Sequence, residues 1–404
     1  MMSKTKCKFW DMRVWMWGVM PFFLLACNEE DLPVEEPEGP IERTVLMYVV
    51  ADNNLSSFAE DDLEEVRLGM ANVPATTALF VYMDKAYGNP QLLKFRNVNG
   101  DVREEVVKGY EDRNSTGVEE TQEVFQDVFE NPAYQAESYA LIYWSHCDGW
   151  IPYPLPSSRW IGQDAGNGDN RMNLSDFKEI MSQAPHFDFI MFDACFMQSI
   201  EVAYELRDYA NYYIASPTET PGPGAPYDAV LPYIAQEGAS AALADAYFNV
   251  YDDLYAAGAG ISNTNWTGGA SICVLNMAEL GALAGLTAQF LPEEADTQSL
   301  LEEIFNYDQR SHSDSNYVGY YDWAQMMQTL LDEEDYTAWK EAFDSAVVYW
   351  NTTPMNYSSS AGIFSMEGTH GVTHYIPQSV TSARAEAYRS LEWYEAAGLS
   401  KLGW

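Results

Sequence analysis

Four short, continuous apolar runs mark the first half of the chain. They are Thr44–Val50, Ala78–Met83, Tyr139–Ser145 and Phe187–Phe192. Runs of this length without polar alternation predict strands buried on both faces, and helical patterns such as Val118–Glu130 lie between them. Buried strands that alternate with helices predict an α/β fold, with a mostly parallel sheet flanked by helices.

Turn-forming residues predict the connections between these elements. Gln91–Asn97 and Val102–Tyr110 flank an Asn-Gly turn and predict a hairpin of two shorter strands. The proline-rich stretch Ile151–Trp160 predicts an exposed loop, and Asn173–Ser182 predicts a helix that leads back to the sheet.

The pattern changes beyond Val230, where helical periodicity dominates. We therefore expect a core segment, 43–230, followed by a mixed, helix-rich segment, 231–404, that packs on it. The strands predicted in this second segment are Ser271–Leu275 and a late pair, Ala361–Phe364 and Thr373–Ile376. The predicted helices are Ala241–Ala257, Met277–Leu291, Leu300–Asn306, a mainly helical Tyr321–Trp350, and a closing Ala383–Ala397.

The N-terminus carries a basic stretch and then a short apolar one, Val14–Ala26. That stretch is too short for a membrane-spanning helix, which needs about 20 residues, and is typical of a secretory signal. It ends in Leu-Leu-Ala-Cys, which resembles the bacterial lipobox, so residues 1–26 are expected to be removed and Cys27 to be acylated. A plain signal peptide with a chance cysteine is the alternative.

An acidic, proline-bearing tether, 27–42, follows Cys27 and shows no apolar periodicity. Its start resembles the surface-export signal of Bacteroidetes lipoproteins. We expect acyl chains on Cys27 to anchor the protein in a lipid membrane, at the outer membrane or cell surface.

Net charge excludes one class of partner. The 404 residues include 61 acidic and 21 basic side chains, for a formal net charge of −40. Such a surface repels phosphate backbones, so nucleic-acid binding is not expected, whereas Lys- and Arg-rich peptides would be attracted.

Two of the predicted strands end in reactive side chains. His146 follows the third apolar run, and Asp193-Ala-Cys195 ends the fourth. Because the carboxyl ends of parallel strands meet at one edge of a sheet, a histidine and a thiol can meet there, as nucleophilic thiol catalysis requires. An amphipathic run after Cys195 predicts a helix whose N-terminus would stabilise the thiolate. The alternative is a structural histidine and a buried, inert cysteine.

These local sequences resemble the clostripain family of cysteine peptidases, in the superfamily of caspases and gingipains. The matching pieces are LIYWSHCDGW, FDFIMFDACFMQSIEVAYEL and YIASPTETPGPGAPYD, with LMYVVADNNLSSFAEDDLEEV before them and GIFSMEG and HYIP after them. The resemblance implies a caspase-like fold and a secreted endopeptidase that cleaves after Arg, or Arg and Lys, in protein or peptide substrates.

The resemblance also implies roles for matching residues. Cys195 would be the nucleophile, His146 the base and acid, and the backbone N–H groups of Cys147 and Cys195 the oxyanion donors. Asp193 resembles the aspartate that binds a basic substrate side chain, although its position also suits a helix N-cap. Glu219 is a second, weaker pocket candidate.

One residue departs from the family pattern. Cys147 stands where the family has glycine, so its side chain could crowd the site or form a disulfide with Cys195. The alternative function is therefore a catalytically impaired surface protein that binds basic peptides. A serine hydrolase is a weaker rival, because the Gly-x-Ser-x-Gly elbow is absent from the sequence.

Some relatives cut themselves once after the histidine strand, and Arg159 is the expected site here. Calcium stimulates some relatives, but the nearest acidic cluster, Asp164, Asn167 and Asp169, is not an EF-hand type loop. No cofactor or metal site is expected. Structural roles are expected for the remaining histidines, His186, His312, His370 and His374.

Overall fold

The computed structural model describes residues 39–155, 160–166, 168–258, 269–311, 314 and 316–404. The predicted signal peptide, the acylated Cys27, Arg159, Asn167 and His312 lie outside these residues. Within the described residues, none of the helices has both the length and the apolar character needed to cross a membrane.

Fifteen strands are present in the described part of the chain. In order they are β1 Arg43–Ala51, β2 Thr77–Lys85, β3 Gln91–Val98, β4 Asp101–Gly109, β5 Ser138–Trp144, β6 Ile161–Asp164, β7 Asn170–Met172, β8 Phe187–Asp193, β9 Ala210–Ala215, β10 Ser271–Asn276, β11 Tyr321–Asp322, β12 Val347–Thr352, β13 Met355–Ser358, β14 Gly362–Ser365 and β15 Thr373–His374.

Twelve α-helices accompany them in the same described residues. They are α1 Ser56–Gly69, α2 Val118–Phe125, α3 Leu174–Met181, α4 Ile200–Leu206, α5 Tyr227–Ile234, α6 Ser240–Ala256, α7 Leu280–Phe290, α8 Thr297–Glu303, α9 Trp323–Leu330, α10 Glu333–Ala346, α11 Ala383–Tyr388 and α12 Glu392–Ala396.

Nine of the strands form one sheet in the order β12-β10-β9-β8-β5-β1-β2-β3-β4. The five central strands, β9 to β2 in that order, are parallel, and the pairs at each edge are antiparallel. All four predicted strands are therefore confirmed as central and parallel, and the predicted hairpin is confirmed as β3 and β4.

The central strands are mostly apolar because helices cover both faces of the sheet. All nine residues of β1 and all seven of β8 are buried. One apolar core lies against α1, α5 and α6, and a larger one contains side chains from α2, α3 and α4 and from most of the C-terminal helices. The predicted α/β fold with flanking helices is thus confirmed.

Residues 39–404 form one compact unit. β10 and β12 come from beyond residue 230, yet they extend the same sheet as the strands before it. The C-terminal segment is thereby part of the sheet as well as a helical cover.

Tyr321–Trp350 is mainly helical, as predicted, and contains α9 and α10. Its last part is instead β12, which pairs antiparallel with β10 because its aromatic and β-branched residues suit an edge strand. Both late strands are present, as β14 and β15, but they pair with other strands: β14 pairs with β13, and β15 pairs with β11.

The predicted closing helix is in fact two helices, α11 and α12. A buried carboxylate explains the interruption: Glu205 accepts hydrogen bonds from the backbone N–H groups of Glu392 (2.5 Å) and Trp393 (3.3 Å). These N–H groups would otherwise continue the α11 ladder, so their capture starts a second helix.

Candidate active site

The two reactive strand ends lie side by side. β5 and β8 are adjacent and parallel, with Trp144 opposite Asp193 in the register. His146 and Cys195 each follow two residues after that pair, and both line one pocket, as predicted. The pocket is a cavity of about 40 Å³ lined by Leu55, Trp144, Ser145, His146, Asp193, Ala194, Cys195, Thr220, Pro221, Gly222 and Gly224.

His146 is oriented by a residue that the sequence patterns did not single out. Its Nε2 lies 2.7 Å from Oδ1 of Asn54, in the turn after β1. With the amide oxygen as acceptor, the neutral ring carries its proton on Nε2 and keeps Nδ1 as the free base. Burial lowers the pKa of His146, so this neutral form is favoured. β1 is a parallel neighbour of β5 in the sheet. Residues just after the carboxyl ends of these two strands meet at one edge of the sheet, so the argument that indicated His146 could also have indicated Asn54.

Cys195 is partly buried, and its Sγ accepts a hydrogen bond from the backbone N–H of Thr220 at 3.3 Å. Burial, and next the nearby charge of Glu219, raise the pKa of the Cys195 thiol well above its ordinary value, while the Thr220 N–H opposes that rise. The resting residue is therefore a thiol.

The prediction that a helix N-terminus stabilises the Cys195 thiolate is wrong. α4 begins only at Ile200, and its N-cap is Ser199, whose Oγ accepts from Val202 N–H. Between Cys195 and this cap the backbone turns through Phe196, whose φ is 55°.

Asp193 faces the pocket with one carboxylate oxygen occupied and one free. Its Oδ2 accepts from Ala225 N–H (2.8 Å) and the Tyr227 hydroxyl (2.9 Å), whereas the buried Oδ1 has no hydrogen-bond partner. Burial raises the pKa of Asp193 to about 6. The N-cap alternative for Asp193 is wrong, because Ser199 caps α4.

A glycine, Gly224, leaves room beside the carboxylate of Asp193. Gly224 has φ of +68°, and a Cβ there would lie 2.7 Å from Oδ2 of Asp193. Only glycine adopts this conformation cheaply and leaves that space open.

Glu219, the second pocket candidate, is not among the residues that line the pocket with Asp193. Its Oε1 accepts from both the backbone N–H and the Oγ of Ser359, each at 2.9 Å. Ser359 lies in the turn between β13 and β14, so Glu219 ties the pocket wall 220–224 to this hairpin.

Cys147 is buried and free, as is Cys273, and Cys195 is free as well. The Cys147 side chain belongs to the larger apolar core, and its Sγ accepts from Gly162 N–H at 3.4 Å. Burial raises the pKa of the Cys147 thiol far above its ordinary value. Cys147 is not one of the described non-glycine residues with positive φ. It therefore stands at the position of the family glycine without backbone strain.

Asp62 of α1 is a second buried carboxylate, and sequence reasoning missed it. It lies close enough to Asp193 for the charge of Asp193 to act on the pKa of Asp62. Burial, and next the charge of Asp193, raise the pKa of Asp62 to about 10, while a hydrogen bond from Trp144 opposes that rise. Its Oδ2 is buried without a hydrogen-bond partner. An acidic residue on the inner face of an amphipathic helix was the signal that could have found it.

The remaining polar candidates have structural partners. Asp164 is buried and accepts from Ser115 N–H, and Asp169 pairs with Arg171. In the part of the chain that the structure describes, no group of three or more His, Cys, Asp or Glu side chains is arranged for a metal ion. His374 lies in the aromatic core, where it accepts from the Trp393 indole N–H at 3.2 Å.

Comparisons with known proteins bear on the family to which the chain belongs. A model of the clostripain family matches residues 47–404. Clostripain of Hathewaya histolytica is 24% identical over 225 residues, which are 48% of this chain and 42% of clostripain, so the match spans less than half of that relative.

Two solved structures match nearly the whole described chain. A secreted C11 cysteine protease from Bacteroides thetaiotaomicron, in complex with an irreversible peptide inhibitor, is 43% identical, with a TM-score of 0.81 over 89% of this chain and 100% of that one. An inactive zymogen C11 protease from Parabacteroides distasonis is 28% identical, with a TM-score of 0.75 over 89% and 99% of the two chains. The family model and these folds together show that the chain belongs to the clostripain family of cysteine peptidases.

Proposed function

We propose that this chain is an exported cysteine endopeptidase that cleaves peptide bonds after arginine, and after lysine, through a dyad of Cys195 and His146. One observation supports the basic preference above others: Asp193 lines the pocket beside the thiol, and its buried Oδ1 has no hydrogen-bond partner. A buried carboxylate without a partner is costly, so a cationic side chain that pairs with it is strongly favoured over a neutral one.

Each step of the proposed reaction is assigned to a named group of the site. Nδ1 of His146 takes the Sγ proton as the thiolate attacks the carbonyl carbon, because both groups are neutral at rest. The backbone N–H groups of Cys147 and Cys195 are the proposed oxyanion donors; that of Phe196 is already bound to Thr218 O. His146 then protonates the leaving amine, and the resulting thioester is hydrolysed by water with His146 as base.

The charge of Asp193 gives this proposal a pH signature. The pKa of Asp193 is about 6 in the free enzyme, so the carboxylate is charged above that pH and neutral below it. The kcat/KM for an arginine peptide should therefore rise as pH increases through about 6, a step that Asp193→Asn should abolish.

A fluorogenic arginine peptide under reducing conditions tests the activity. We expect turnover that Cys195→Ala abolishes and that Cys273→Ala, which removes a buried thiol from β10, leaves near the wild-type rate. Replacing arginine by a neutral residue in the peptide should lower kcat/KM by at least about 10²-fold. Binding of the arginine peptide without turnover in the wild-type chain would instead support the impaired binding protein.

We further propose that acylated Cys27 holds the enzyme at the outer membrane or cell surface. The lipobox-like Leu-Leu-Ala-Cys sequence and the acidic tether support this. Mass spectrometry of the purified protein would detect the acyl chains, and their loss in Cys27→Ala together with release into the medium is the expected result. A wild-type chain cleaved elsewhere and found unacylated would overturn it.

Self-cleavage after Arg159 is the proposed maturation step, and a relative described as an inactive zymogen supports it. Intact-mass measurement should find two fragments in the active enzyme; a single, fully active chain would contradict this. The dyad chemistry requires no cofactor, and the same assay with calcium or a chelator measures any stimulation.

A further inference from the structure

Tyr320 lies between the two loops that carry His146 and Cys195. It is 1% exposed and sits directly before β11, in the C-terminal segment. It contacts Phe196, which follows the proposed nucleophile, and it contacts Asp148 and Gly149, which lie close to the proposed base.

On the nucleophile side, Tyr320 packs against Phe196. The two rings are stacked, with centroids 5.4 Å apart and an interplanar angle of 12°. Phe196 has φ of 55°, a left-handed conformation that costs a residue with a side chain roughly 1–2 kcal/mol. Such a conformation persists only where the surroundings hold it, and the stacked ring, with the Phe196 N–H to Thr218 O bond of 3.0 Å, provides that hold.

On the histidine side, the Tyr320 hydroxyl donates a hydrogen bond to the carbonyl of Asp148. The next residue, Gly149, has φ of +115°, and a Cβ there would overlap the Tyr320 hydroxyl. The loop after His146 is thus shaped to fit around this tyrosine.

Tyr320 is itself fixed by its backbone. Its N–H donates to Oδ1 of Asn306 at 2.9 Å, and its carbonyl accepts from Tyr307 N–H at 2.8 Å. These two bonds fix the backbone from which the Tyr320 ring and hydroxyl extend.

We propose that Tyr320 is a positioning residue that sets the relative placement of the His146 and Cys195 loops. The two functions are separable: the ring holds the strained backbone after the nucleophile, and the hydroxyl holds the backbone after the base. Misplacement of reacting groups by about 1 Å can cost on the order of 10² in rate, so the effect belongs on kcat rather than on KM.

The test compares Tyr320→Phe and Tyr320→Leu with matched changes at Tyr110, a buried tyrosine whose hydroxyl bonds Asp127 near the opposite edge of the sheet. Tyr320→Phe should lower kcat for an arginine peptide about 3- to 10-fold, and Tyr320→Leu about 30- to 100-fold, with KM changed less than about 3-fold. Tyr110→Phe and Tyr110→Leu should leave both constants near wild type.

A second readout does not depend on turnover. Because burial holds the Cys195 sulfur as a thiol, loosening its loop exposes it, and iodoacetamide should alkylate Cys195 of Tyr320→Leu at least about 3-fold faster at pH 7. Global destabilisation would also speed alkylation of the buried Cys273, so a lower kcat with faster labelling of Cys195, and unchanged labelling of Cys273, marks a local effect. Mass spectrometry assigns the label to Cys195.

The inference rests on the proposed peptidase activity only for the first readout. If the wild type shows no turnover, the proposed function fails and the alkylation rates still decide the role of Tyr320. Unchanged alkylation and kcat in a folded Tyr320→Leu, or equal effects in the Tyr110 variants, would overturn it. If Tyr320→Leu does not fold, an unchanged kcat in Tyr320→Phe would overturn the proposal.

Discussion

At the scale of single residues, burial favours the neutral forms of the proposed reacting pair. It lowers the pKa of His146 and raises that of Cys195, so both shifts oppose a preformed ion pair. In the proposed reaction the proton then moves as the substrate is attacked, so the residue that orients the imidazole becomes important.

Asn54 is that residue, and its removal should be visible in kcat. Asn54→Ala loses the bond that fixes the Nε2-protonated tautomer, so kcat for an arginine peptide should fall about 10-fold with little change in KM. Asn54→Asp should raise the pKa of His146 and shift the acidic limb of the pH–rate profile to higher pH. Asn249→Ala, on the exposed face of α6, is the control; equal kinetics in all three variants would contradict the assignment.

Asp62 should cost stability at neutral pH. Its folded-state pKa of about 10 lies above the ordinary value, so folding favours the protonated form and the free energy of unfolding falls as pH rises above about 4. Asp62→Asn cannot ionise and should be more stable than wild type by about 1–3 kcal/mol at pH 8, with little difference at pH 4. Denaturant melts at both pH values measure this, and a difference that does not grow with pH would refute it.

At the scale of elements, the helix after Cys195 begins some residues away from it. α4 starts at Ile200 with Ser199 as its cap, and the intervening backbone positions the thiol instead. The helix serves the fold: all seven of its residues are buried.

Removing that cap tests the separation. Ser199→Ala should lower the free energy of unfolding by about 1 kcal/mol, because Val202 N–H loses its acceptor. The pH dependence of Cys195 alkylation should stay as in wild type. Asp332→Ala, which removes the cap of the distant α10, gives the comparison; a shifted alkylation profile in Ser199→Ala alone would mean that α4 does act on the thiol.

The strands that carry the site were predictable because their signal is local. Continuous apolar runs fixed β1, β2, β5 and β8, and chain order with the edge rule placed His146 and Cys195 together. β9 escaped because its run is short and contains the polar Asn211. α12 was not separable from α11 because its start depends on the distant Glu205, and no local pattern records such a contact.

Polar partners within the site were harder to predict than its position. Which oxygen of Asp193 stays free depends on Ala225 and Tyr227, which arrive from another part of the chain. Glu219 bonds to Ser359, 140 residues away. Tertiary contacts of this separation leave no periodic trace in the sequence.

At the scale of the whole molecule, the charge of −40 should act on substrate encounter. Long-range attraction raises the on-rate of cationic substrates and is screened by salt. The kcat/KM for a polybasic peptide should fall about 3- to 10-fold between roughly 50 and 500 mM salt. A peptide with one arginine and a compensating acidic residue is the control, and an equal salt effect on both peptides would exclude steering.

The small cavity beside Cys195 has a kinetic consequence. A space of about 40 Å³ is small, so we expect the wall 220–224 to move outward when an arginine side chain enters. Apparent affinity would then be the intrinsic affinity multiplied by the fraction of molecules with the wall open. We expect the bonds between Glu219 and Ser359 to influence that fraction.

Ser359→Ala should raise the open fraction, because it removes one of the two bonds that hold Glu219. An arginine-bearing irreversible inhibitor should then inactivate the enzyme about 2- to 5-fold faster at low concentration, while iodoacetamide, which needs no side-chain pocket, reacts at the wild-type rate. Equal inactivation of both proteins by the arginine compound would show that the wall moves freely. We therefore expect the hairpin β13–β14, through Ser359, to influence how often the pocket admits an arginine side chain.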